Sequence, residues 1–115
     1  SDQAYLKPEV EQYMISRRFF LERCFGHDGS NFLRKIIDEE KFTEARLNEC
    51  YPTENKVPAF RITLVSEDKK STAIKTRNWE MNMPSGELFP SSVVIKSKRG
   101  TFNGEIRIEA QDFRQ

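Results

Sequence analysis

His27 is the only histidine of the chain, and it stands beside Asp28 and three residues after Cys24. A thiol and an imidazole that close could form an activated nucleophile, with the thiolate as the reactive species. Two features oppose this chemistry. Cys24 falls at the C-terminal end of a helical stretch, where the helix dipole disfavours a thiolate. It also falls on the apolar stripe of that stretch, where a small buried thiol is ordinary. We therefore expect Cys24 to be a free core thiol and the chain not to be an enzyme.

Metal and phosphate chemistry find little more. Structural zinc takes four Cys/His ligands, and Cys24, Cys50 and His27 are the only candidates. No Gly-rich phosphate loop is present, and the five glycines are scattered as turn residues are. Glu54-Asn55-Lys56 and Glu67-Asp68-Lys69 match the Glu-x-Lys pair that holds magnesium in some nucleases. One sits in a loop and the other in a turn, without a strand-end Asp before it. Asp38-Glu39-Glu40 could bind a cation, and a solvated helix end explains it as well. No metal and no other cofactor is expected.

Binding chemistry is better represented. The stretch 70–79, KSTAIKTRNW, alternates, and as an extended strand it puts Lys75, Arg77 and the only tryptophan, Trp79, on one face. If Phe60, Ile74, Ile95 and Ile106 face a core, the opposite face collects Arg61, Lys75, Arg77, Trp79, Lys96, Lys98 and Arg107, and Arg99 joins them at a hairpin. Trp and Arg together are typical interface anchors. The plain alternative is a wet sheet face with cross-strand ion pairs, Lys96 or Lys75 with Glu105. The favoured function is a protein-interaction or self-association module using this face and the 79–89 loop. The first alternative is single-stranded nucleic-acid binding, with the cations on phosphates and Trp79 stacked on a base. The second is a ligand or enzyme pocket between helices and sheet.

Whole-chain properties constrain these functions. The 115 residues fit one domain, 1–115, and the start at Ser1-Asp2 without Met fits a piece cut from a longer protein. The net charge is +1, which is low for a nucleic-acid module. Residues 1–55 carry 8 Lys/Arg against 11 Asp/Glu, or −3, and residues 56–115 carry 11 against 7, or +4. Nine Phe, three Tyr and one Trp supply bulky core material. Two cysteines are too few for a disulfide framework, and no Asn-x-Ser/Thr occurs, so an intracellular, cytoplasmic or nuclear setting is expected. No apolar run reaches membrane-spanning length, and no membrane partner is expected.

Elements must position these side chains. Pro8 opens a helix over 8–25, with Val10, Tyr13, Met14, Phe20, Leu21 and Cys24 as its apolar stripe and Gly26 ending it. Ser30 caps a second helix bearing Phe32, Leu33, Ile36 and Ile37, and residues 38–49 continue it or restart at Thr43. From residue 59 the period becomes two. Strands follow at 59–67, 71–81, 88–98 and 101–110, with Phe89, Val93 and Ile95 sharing a face. Arg99-Gly100 makes a hairpin, and Asn103-Gly104 is a rival turn or a bulge. The expected fold is α+β: two or three N-terminal helices on one face of a C-terminal four-stranded antiparallel sheet, a meander by default. This order is similar to that of cystatin-like and NTF2-like folds, a resemblance of element order that carries no function.

Overall fold

The chain runs α1 (Pro8–Ser16), β1 (Ile36–Asp38), α2 (Glu44–Cys50), β2 (Ala59–Ser66), β3 (Ser71–Lys75), β4 (Gly86–Glu87), β5 (Ser91–Ser97) and β6 (Gly100–Gln111). The structure is a computed structural model and describes residues 7–54, 58–88 and 90–113. The fold is mixed α+β with a mostly antiparallel sheet in the order β1-β5-β6-β2-β3, and β4 also pairs with β6. The strand β1 precedes α2, which breaks the helices-then-strands order.

Strand β6 holds the centre. It pairs with β2 from Ala59↔Gln111 to Ser66↔Gly104, and on its other edge with β5 and β4. Phe60, Ile62, Leu64, Ile106, Ile108 and Ala110 alternate onto one face and are buried. Gly104 lies inside the strand rather than in a turn. A Cβ there would come 2.5 Å from Ile95 Cδ1 and 2.6 Å from the Val65 carbonyl oxygen, so only glycine lets the three strands close up. The expected third strand is interrupted. Pairing slips by one residue between Glu87↔Glu109 and Ser91↔Ile106, a bulge of the kind Pro90 favours because it has no N–H to donate. Phe89 lies outside the described residues, as do Asn55 and Lys56 of the first Glu-x-Lys pair.

The meander does not form. Hairpins β2–β3 and β5–β6 are adjacent as expected, but β6 inserts between β5 and β2. Strand β3 also ends at Lys75, and Trp79 N–H closes a turn on the Thr76 carbonyl at 3.1 Å. Thr76 causes the break. Its N–H still donates to the Phe60 carbonyl at 2.9 Å, but its Oγ in place of its carbonyl takes the Phe60 N–H at 2.9 Å and donates to Asn78 Oδ1 at 2.6 Å, so the ladder with β2 goes no further.

The N-terminal third departs further from expectation. The α-helix stops at Ser16 and gives way to a 3-10 turn at Arg17–Phe20, with Leu21 extended. Phe19 and Phe20 are both buried. Both lie at the end of that turn, where the chain leaves helical geometry at Leu21 and the core closes around them. The second helix is absent. The Asn31 Oδ1 accepts the N–H groups of Leu33 at 2.8 Å and Arg34 at 2.9 Å, which closes a local turn. The β-branched pair Ile36-Ile37 then forms β1, parallel to β5. Ser30 is no helix cap; its Oγ accepts the Ile36 N–H at 3.0 Å. The restart at Thr43 does occur, with its Oγ1 accepting the Arg46 N–H at 3.1 Å.

Phe19, Phe20, Phe25, Phe42, Leu47 and Tyr51 cover the sheet's apolar face and complete the core. Cys24 is buried there, but it is not a free thiol. It is bonded to Cys50 at the end of α2. Spacing along the chain gave no hint of this pairing, because the turn at 21–25 folds back against α2. The guanidinium of Arg46 donates to the carbonyls of Cys24 and Glu22, each at 2.9 Å, and Lys41 donates to those of Glu22 and Gly26.

Candidate protein-binding groove on the outer sheet face

The sheet face away from the core is set by register. One row runs Lys75–Arg61–Glu109–Glu87, the next Ala73–Thr63–Arg107, and the next Ser71–Val65–Glu105–Ser92. Arg61, Lys75 and Arg107 thus lie where alternation placed them, with Lys96 farther along the same face opposite Thr101. Arg77 and Trp79 do not reach this face by alternation, since they follow the end of β3.

A crossing loop brings Trp79 there instead. Strands β3 and β4 lie on opposite sides of the β2–β6 pair, so residues 76–85 must cross it. The loop crosses the outer face, where Gln111 holds it. Gln111 Oε1 accepts the Glu80 N–H at 2.9 Å, and Nε2 donates to the Glu80 carbonyl at 2.6 Å and the Met83 carbonyl at 3.1 Å. Ser85 Oγ donates to Glu109 at 3.2 Å. Gln111 is consequently buried although its strand position faces outward. Replacing it by leucine removes all three bonds. The Gln111→Leu chain is expected to lose about 1–3 kcal/mol and to exchange its Glu80 amide proton at least about tenfold faster. Unchanged protection at Glu80 would show that the loop is held by something else.

Between loop and strands lies a groove of about 400 Å³ walled by Arg61, Lys75, Glu44, Glu109, Trp79, Met81 and Met83. Trp79 is half-buried against it, and Met81 is 78% exposed. The free edge of β3 beside it is blunted by α2. Glu44 accepts the Lys75 N–H at 3.3 Å, and Asn48, one turn on, accepts that of Arg77 at 2.9 Å.

Most of the expected binding cations have intramolecular partners. Arg61 lies 3.7 Å from Glu109, and Arg107 donates to Glu105 at 2.6 Å. That bond favours the guanidinium's charged form and raises its pKa. Glu105 therefore pairs with Arg107 rather than with Lys96 or Lys75. Lys96 donates to the Thr101 hydroxyl at 3.4 Å. At the far rim, Arg99 pairs with Glu39 at 2.8 Å and with Asp68, Lys70 reaches Glu39 at 3.3 Å, and Lys98 reaches Glu40 at 3.5 Å. Burial would raise the Glu39 carboxyl, but the hydrogen bonds from Arg99 and Lys70 outweigh it and hold the pKa below the usual range. Lys98 and Arg99 are thus far from the groove. Lys75 and Arg77 make no ion pair among the described residues.

Alternation put Arg61 and Lys75 on this face, whereas Trp79 reaches it through the loop and not along a strand. Met81 and Met83 fall within the expected 79–89 loop but were not singled out, and neither was Gln111. Only the strand order makes the loop cross, so no local signal marked them. Among the described residues no group of His, Cys, Asp and Glu could hold a metal ion, and no helix is long and apolar enough to cross a membrane. No protein-family model, no curated protein and no solved structure matches the chain.

Proposed function

We propose that this chain is a non-enzymatic protein-binding module whose contact surface is the groove between the 79–83 loop and β2–β3. The observation that carries this is the placement of Trp79, Met81 and Met83 on the charged outer face beside Arg61 and Lys75. Tryptophan and arginine anchor interfaces, and methionine adapts to an incoming side chain. Lys75, which makes no ion pair among the described residues, complements a carboxylate of the ligand. The ligand is accordingly a peptide segment with one bulky apolar anchor and a carboxylate placed for Lys75. The ion pairs at Arg61, Lys98, Arg99 and Arg107 argue against a phosphate-gripping face, because those cations already have carboxylate partners. The intracellular expectation rested on too few cysteines for a disulfide framework and on the lack of an Asn-x-Ser/Thr site. With Cys24 bonded to Cys50, an oxidising compartment is the better reading.

The test is selection of a phage-displayed peptide library on the intact chain, then titration of enriched synthetic peptides by the fluorescence of Trp79, the chain's sole tryptophan. Peptides with an aromatic or large aliphatic residue near a carboxylate are expected. Trp79→Ala, followed by calorimetry, is expected to weaken them about 30-fold, the scale of an interface hot spot. Equal affinity for Trp79→Ala would remove the groove from consideration. Salt-dependent binding of oligothymidylate at this face would favour the nucleic-acid alternative instead.

A further inference from the structure

The helix α1 is turned inside out relative to its sequence pattern. Gln12 and Ser16 are buried, while Val10 (44%), Tyr13 (48%) and Met14 (51%) are exposed. These three occupy positions i, i+3 and i+4, one continuous stripe. The stripe continues onto the neighbouring turn. The Tyr13 ring meets Phe32 edge-on at 5.7 Å, and the next residue, Leu33, is 90% exposed at a tip held by Asn31. Among the described residues this is where most of the exposed large hydrophobics gather.

Charge decides what covers it. The first turn of α1 carries Glu9 and Glu11, and the chain just beyond its last turn carries Arg17 and Arg18. The Arg17 guanidinium is stacked 4.3 Å from the Phe32 ring centroid, which fixes it beside the stripe, and Lys35 lies 5.0 Å from the same ring. An acidic partner or an anionic membrane would satisfy one end of this patch and oppose the other. A second copy laid antiparallel satisfies both, because its acidic end meets the first copy's basic end twice over. We propose that the chain self-associates as a two-fold dimer through α1 and the Phe32-Leu33 turn. Leu33 of each copy lies against Val10 and Met14 of the other, and Glu9 faces Arg17 across the axis. The contact is small, so the dimer is weak, with a dissociation constant in about the micromolar range.

Sedimentation equilibrium over about 1–300 μM is expected to show a monomer–dimer equilibrium for the chain. Met14→Asp and Leu33→Asp, both surface changes, are expected to leave it monomeric throughout, with an unchanged near-ultraviolet spectrum. Glu9→Arg and Arg17→Glu should each weaken self-association about tenfold or more, and their equimolar mixture should recover a dimer of near wild-type affinity. Trp79→Ala should leave the dimer intact, which separates this face from the groove. A monomer at every concentration overturns the proposal, as does a dimer indifferent to Leu33→Asp or a mixture no tighter than its components. So does a monomer that floats with phosphatidylserine vesicles in a Leu33-dependent manner.

Discussion

Reducing the Cys24–Cys50 bridge is expected to lower the unfolding free energy by about 3–4 kcal/mol, the loop-closure value for a separation of 26 residues. Against a total of about 5–15 kcal/mol for an ordinary domain, that is a large share. The native fold should nevertheless survive reduction. Arg46 on α2 and Lys41 just before it still hold the carbonyls of Glu22, Cys24 and Gly26, and those bonds do not depend on the sulfur atoms. The expected result is therefore a lower denaturation midpoint with native near-ultraviolet signals retained in dilute buffer. Guanidinium titration with and without reductant reads it, and Cys24→Ala/Cys50→Ala should match the reduced protein. Thiol titration of air-oxidised native protein should find no free cysteine. Two titratable thiols, or coincident curves, would show that the bridge does not form.

Phe19→Ala is expected to cost about 3–5 kcal/mol, the range for removing a buried aromatic side chain. Phe19 is fully buried at the junction of the N-terminal layer and the sheet. Its ring lies edge-on to Phe60 at 5.4 Å and to Tyr51 at 6.4 Å, and tilted to Phe25 at 6.0 Å. Each of these belongs to a different segment, so the cavity cannot close by moving one neighbour. Tyr51 is pinned further by donating its hydroxyl to the Pro58 carbonyl at 2.7 Å. Phe19→Leu should recover most of the loss, since it restores volume without the ring contacts. Urea midpoints of the three proteins check this. A loss below about 1 kcal/mol for the alanine variant would mean that the surrounding rings collapse into the space.

The alternating stretches in the second half were legible because each strand's own side chains decide its buried face. Phe60, Ile62, Leu64, Ile106 and Ile108 are apolar at every second position, and any register that buries them exposes Arg61, Arg107 and Glu109. The same logic failed at residues 76–79. Thr76 bonds Phe60 through its side chain and ends the strand, a tertiary contact that no alternation announces. It failed differently in α1. Val10, Tyr13 and Met14 make a good apolar stripe, but the core already takes its aromatic volume from Phe19, Phe20 and Phe25, and the short helix is oriented by those residues.

Local pattern sufficed for the α+β class, for the buried faces of the long strands and for a hairpin next to Gly100, whose loop is Lys98-Arg99 one residue earlier than expected, and it offered the start at Thr43 as one of two readings, because each depends on side chains within a few residues of one another. Tertiary structure alone decided that Cys24 meets Cys50, that β6 lies between β5 and β2, and that the 76–85 loop carries Trp79, Met81 and Met83 across the outer face. Those outcomes depend on which distant segments share a layer. That choice is made by the summed burial of the core, to which no single segment's pattern contributes more than a small part.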